Sequence, residues 1–229
     1  MEPDSELRRQ ILETLANKAT LKQRVTDNTL HIFDSLKETL HEIATEIGEE
    51  LEEKIDKRIR IEYRDRGKYE AQVQVADDLL IFQVHTDVFR FHDNHPVWRN
   101  QYVKENRDNA YCGVINIYNF LADSFKFNRA QDEGYLIGRL FINRKTQYFV
   151  EGKISRKISA PSFGSAQLDI EHLRTILESA IHYSLGFDLF VPPYETSKIV
   201  TVEQFNTRTE NSKVQTGKLL GFEYDCQEI

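Results

Sequence analysis

The chain has 229 residues, 40% of them hydrophobic and 29% charged, with a formal net charge of −7. This composition suits one folded domain or slightly more, with apolar residues enough for a single core, and it excludes a disordered chain. Through Asp56 there are 14 acids against 7 bases, whereas residues 57–229 hold 23 of each sign; a uniformly basic nucleic-acid binder is excluded, and a local basic patch is not.

Two cysteines, Cys112 and Cys226, cannot build a disulfide framework, and the N-terminal MEPDSELRRQ lacks the basic start and apolar run of a signal peptide. No apolar stretch reaches the roughly 20 residues of a membrane span. The expected setting is cytoplasmic and reducing, without membrane association.

The first segment, 1–56, reads as an acidic helical region. Between Asp4 and Ile47 there is neither Gly nor Pro, and Leu7, Ile11 and Leu15 recur at helical spacing behind an Asp4/Ser5 capping signal. From Phe33 the apolar positions Phe33, Leu36, Leu40, Ile43 and Ile47 alternate steps of three and four. That is the seam of a helix pair or coiled coil. It predicts either packing on the chain's own sheet or self-association into a homo-oligomer. One unbroken helix over 4–56 would be about 80 Å long, so the TDN at Thr26–Asn28 is expected to break it into two. Glu46, Glu49, Glu50, Glu52 and Glu53 form a solvated acidic face.

After residue 57 the period becomes two. RIRIEYR places Ile59, Ile61 and Tyr63 on one face, DRG turns the chain, KYEAQVQV repeats the alternation, and ADD turns it again into LLIFQVHTDVFRF. These are three antiparallel strands in a meander. A long connection over 92–111 precedes three further strands, GVINIYNFLADSFKF, YLIGRLFIN and YFVEGKIS. SAQLDIEHLRTILESAIHYSLGF is an amphipathic helix with Ile170, Leu173, Leu177, Ala180, Ile181 and Ser184 on one face. VPPY at Val191–Tyr194 stops the pattern, and 199–205 with 213–225 suggest a terminal hairpin. Helices and strands are segregated, so the expected fold is α+β: an antiparallel sheet of about six strands, covered on one face by helices. The expected boundaries are 1–56, a sheet-and-helix core over 57–195, and a terminal segment over 196–229.

Chemistry concentrates where the third strand ends, in FRFHDNHPVW. His85 and Asp87 share a strand face, and His92, Asp93 and His95 follow, an imidazole and carboxylate set of the kind that holds zinc or iron. The same loop also forms a candidate binding rim of His92, His95, Trp98, Arg99 and Tyr102, supported by Lys104 and Arg107. It offers aromatic faces and cations to a ligand or protein partner. Trp98 alternatively pins the loop to the core.

Glu151 and Lys153 in YFVEGK are similar to the E-x-K half of the PD-(D/E)xK nuclease family. The resemblance implies carboxylates holding magnesium and a lysine orienting the attacking water. The preceding strand ends in Asn143, where the family pattern has a further acid. The hairpin around it carries Arg139, Arg144, Lys145, Lys153, Arg156 and Lys157 between Phe141, Tyr148 and Phe149, cations and rings suited to nucleic acid. Phosphate loops, dinucleotide fingerprints and serine-nucleophile elbows are absent from the sequence, and Cys112 has no readable His and carboxylate partner. The sequence therefore predicts a binding or assembly protein rather than an enzyme, without a cofactor, acting on a small ligand or protein partner at 92–111.

Overall fold

The glycine- and proline-free start of the chain is helical throughout its described length. The computed structural model describes residues 3–52, 59–157, 162–188 and 194–203. In it, α1 (Pro3–Thr14), a π-helical turn (Leu15–Ala19) and α2 (Thr20–Glu52) follow one another without interruption. The expected break at Thr26–Asn28 does not occur, because its polar side chains find partners in place. Thr26 Oγ1 donates to the Lys22 carbonyl (3.1 Å), and Asn28 Nδ2 reaches across to the Asn143 carbonyl (3.2 Å). The irregularity lies further N-terminal, at the π turn. Leu7 and Ile11 before it and Leu15 at its start stay 59%, 51% and 56% exposed; after it, Val25 is fully buried.

The positions read as a seam face inward. Phe33, Leu36, Leu40 and Ile43 are at most 1% exposed and share one core with Val73, Leu80, Phe82, Ile115, Ile117 and Leu140, with Ile47 partly buried at its margin. Of the two expectations, packing on the chain's own sheet is the one realised. An amphipathic sheet must cover its apolar face, and burying each large side chain there contributes about 1.5–3 kcal/mol relative to exposure. These side chains therefore pack in the chain's own core, with Ile47 at its edge.

The sheet is antiparallel: β1 (Ile61–Asp65), β2 (Glu70–Val75), β3 (Asp78–Val84), β5 (Tyr111–Leu121), β6 (Tyr135–Asn143) and β7 (Tyr148–Gly152) lie in that order. The expected third strand is interrupted. It ends at Val84, and a two-residue strand, β4 (Phe89–Arg90), then pairs separately with the start of β5, Phe89 opposite Cys112. GVINIYNFLADSFKF also stops short as a strand, because α4 (Ala122–Lys126) begins after Leu121.

Helix α2 passes very close to β5. A β-carbon built on Gly113 would lie 2.1 Å from Thr29 Oγ1, so this contact needs glycine. Beside α2 lies α5 (Ile170–Ser184), which Asp169 caps by accepting from His172 N at 2.8 Å. Arg174 on α5 makes two 2.8 Å bonds to the Glu46 carboxylate on α2, a bidentate clamp between the helices. Both helices cover one face of the sheet. The second face is only partly covered, by the 92–111 connection and by Phe163, which bury Val97, Val103, Ala110, Cys112, Val114 and Phe141 in a second cluster. Tyr194–Ser197 form a short helix, α6. Residues 199–203 hold no strand, and the rest of the expected terminal hairpin lies outside the described residues.

Candidate functional site

The 92–111 connection is a chain of three short helical turns: Pro96–Arg99, α3 (Gln101–Glu105) and Arg107–Ala110. Each is started by a polar side chain that accepts the backbone N–H two residues on. His95 Nδ1 accepts from Val97 N (3.1 Å), Asn100 Oδ1 from Tyr102 N (2.8 Å) and Asn106 Oδ1 from Asp108 N (2.9 Å). The segment is tied down on its inner side. Buried Asn109 donates to the Tyr102 carbonyl (2.9 Å) and accepts from Arg144, while Asn100 Nδ2 donates to the Phe163 carbonyl (2.9 Å). Tyr102 belongs to this anchoring. Its hydroxyl accepts from Asn143 Nδ2 at 3.0 Å, its ring meets Phe163 edge-on, and burial pushes its pKa up.

Trp98 occupies the outer side. Its indole N–H donates to the His92 carbonyl at 2.9 Å, and the guanidinium carbons of Arg90 and Arg107 lie 4.9 and 5.0 Å from the ring centroid. Arg90 is also paired with Asp93. Next to this stack is a shallow depression of about 300 Å³, lined by Asp93, Trp98, Val103, Lys104 and Arg107. Among the described residues neither Lys104 nor Arg107 has a carboxylate partner. The arrangement presents two cations that have no carboxylate partner among the described residues, with Asp93 in the same lining and one guanidinium steadied by an aromatic face.

Only Trp98 of the expected binding set lines this depression. Arg99 is exposed on the first turn and outside it, Tyr102 is an anchor, and His92 and His95 serve the backbone. Of the expected rim and its supporting cations, Trp98, Lys104 and Arg107 line the depression together with Asp93 and Val103, and Arg90 lies over the Trp98 ring beside them. Arg90 was hidden in a strand pattern, and its approach to Trp98 is set by tertiary structure rather than by a local motif.

The metal set does not converge. His85 Nδ1 accepts from Asp87 N (3.1 Å) with its ring edge-on to Phe89, His92 Nδ1 accepts from Asn94 N (3.4 Å), and the His95 ring stacks on Phe91 with centroids 4.6 Å apart. Among the described residues no three His, Cys, Asp or Glu side chains are placed to hold a metal. The strand phase that put His85 and Asp87 on one face is lost in the turn between β3 and β4.

Among the described residues Glu151 belongs to no group of metal-binding side chains either. It lies opposite Arg139 in the β6–β7 register and pairs with it at 2.6 Å, while Gly152, at φ +108°, ends the alternation before exposed Lys153. The rings of the basic hairpin are occupied too. Phe141 and Tyr148 are 4% and 1% exposed, and Phe149 stacks on Phe141 at 4.5 Å. Comparison with family models, with curated proteins and with solved structures finds nothing that matches this chain.

Proposed function

We propose that this chain is a non-catalytic, cytoplasmic binding protein whose 92–111 connection takes a phosphate- or carboxylate-bearing ligand, free or carried by a protein partner. The observation that supports this reading is the pair Lys104 and Arg107, both without a carboxylate partner among the described residues, at the rim of a depression whose wall is Trp98. A guanidinium held over an indole keeps its outward N–H donors free and loses less side-chain freedom when an anion arrives. Placing the site on a loop tied to a rigid sheet fixes that geometry in advance. No described helix is long and apolar enough to cross a membrane.

Trp98 is the only tryptophan of the chain, so its fluorescence reads the site directly. Titration with inorganic phosphate, pyrophosphate and citrate is expected to give a saturable change for at least one of them, weakened by added salt. The change should disappear in the Lys104→Gln/Arg107→Gln variant, whose thermal melt should stay cooperative and fall by no more than about 4 °C, the share of the lost Arg107–Trp98 contact. A flat titration with all three anions, or undiminished binding by that variant, overturns the reading.

A further inference from the structure

The N-terminal helix runs well beyond the body of the molecule before it buries anything. Among the described residues the first buried one is Leu21, and every position over 7–20 is exposed. Residues 3–20 therefore form an arm about 27 Å long that contributes to neither core. Leu7, Ile11 and Leu15, four apart, share one stripe of it and Leu12 flanks that stripe; Leu12, at 58%, is as exposed as the other three. Single apolar side chains are common on surfaces, but four large aliphatic ones over about two turns make a contiguous patch. A helix of this length is also marginal in water without a face to pack on.

The charges of this segment are sorted along its length. Glu2, Asp4 and Glu6 precede any base, whereas residues 16–24 hold Lys18, Lys22 and Arg24 and no acid. Helix-end preference accounts for acids near the start, but not for bases at 18–24, which lie inside a continuous helix. Glu6 reaches Arg9 at 2.8 Å, an exposed pair of the weak kind; Lys18, Lys22 and Arg24 have no carboxylate partner among the described residues. Two such arms laid parallel would set acid against acid and base against base. Laid antiparallel, they set each acidic tip against a basic root. Length selects the same arrangement. Centred on Ile11, an antiparallel pair places Leu7 level with the partner's Leu15 and Asp4 level with the partner's Lys18. Pro3 then lies level with the partner's Ala19, so each arm is covered to its root and each tip stops short of Leu21, where burial begins.

We propose that this arm is a dimerisation element whose occupant is the arm of a second copy of the chain, antiparallel about a two-fold axis at Ile11. Such an axis makes the contact isologous, so the Leu7–Leu15 contact and the tip-to-root charge pairing each occur twice. A membrane surface is the poorer fit: through Arg24 there are four acids and five bases, too balanced for a helix that lies on anionic lipid. The overlap is about 17 residues a side, against the 20–30 of a standard interface, so the dimer is a reversible one that forms with concentration.

The test is sedimentation velocity of the full chain from about 1 to about 200 µM, over which the mass should rise from 26.9 kDa toward twice that value. Ile11→Glu/Leu15→Glu should hold the chain at the monomer mass and, at the lowest concentration, melt like the native chain, since both side chains are exposed. Charge tests the direction. Lys18→Glu/Lys22→Glu should weaken the dimer by about tenfold or more, and adding Asp4→Lys/Glu6→Lys to the same chain should restore most of the loss, because both ends are then reversed. In a Cys226→Ser background, Ile11→Cys should cross-link on oxidation and Leu7→Cys far less, because the two Leu7 positions lie about 12 Å apart along the pair. A monomer over the whole range overturns the inference. So does a dimer that Ile11→Glu/Leu15→Glu leaves intact, a charge reversal that the second reversal does not repair, or equal cross-linking through Leu7→Cys, which would mark a parallel pair.

Discussion

Replacing Trp98 by phenylalanine separates a structural pin from an exposed platform. The substitution removes the indole donor to the His92 carbonyl and weakens two guanidinium contacts about 5 Å from the ring centroid. One such hydrogen bond contributes about 1 kcal/mol net, and each partly exposed cation–π contact about 0.5–1 kcal/mol, some of which a phenyl ring retains. The expected loss is about 1–2 kcal/mol, and in a chain of this size each kcal/mol lowers the melting temperature by about 2–4 °C. Far-UV circular dichroism during heating and urea titration measures it without needing the lost fluorophore. Trp98→Ala also gives up ring packing on the second cluster and should cost about 3 kcal/mol. If Trp98→Phe melts with the native chain and Trp98→Ala is no worse, the ring pins nothing and the account of the loop fails.

Three further outcomes are expected. Gly113→Ala should destabilise by about 1–3 kcal/mol through overpacking against Thr29; the effect in urea unfolding should shrink when combined with Thr29→Gly, since Thr29 Cβ would itself sit 2.9 Å from the added carbon. Burial pushes the Cys112 thiol well up, so in a Cys226→Ser background an aromatic disulfide reagent at neutral pH should react only at the rate of unfolding. The Asp169 carboxyl is held below its ordinary value of 3.8 by the His172 backbone N–H and ring. A depressed acid stabilises the fold above its unfolded pKa and loses that contribution as pH falls through the lower folded value. Asp169→Asn, which keeps the cap but cannot titrate, should therefore flatten the stability loss in acid unfolding below about pH 4.

The sheet was legible because its signal is local. Alternation through Tyr63, Val73 and Phe82, punctuated by DRG and ADD, needs no knowledge of the rest of the chain. The helix seam was legible as a face but not as a destination: Phe33, Leu36 and Leu40 show the same three-and-four spacing on a sheet as on a second helix. The histidines misled because His85, His92 and His95 turn the chain through Nδ1, a capping role more often written with Asn or Ser. Arg107 beside Trp98 follows from the loop path, which no spacing in the sequence encodes.

The π turn at Leu15–Ala19 carries a consequence for sequence length rather than sequence identity. At about 100° per residue, Leu7, Ile11 and Leu15 would point the same way as Phe33, Leu36 and Leu40 if the screw ran true, and a π turn amounts to one extra residue in that screw. Removing a single residue there would convert the π turn into ordinary α-helix and leave both α2 and the N-terminal arm facing as they do now. At this point a one-residue gap is taken up by the turn itself, and two chains differing by it would present the same side of the arm, whereas the same gap in the α-helix on either side would turn that side by about 100°.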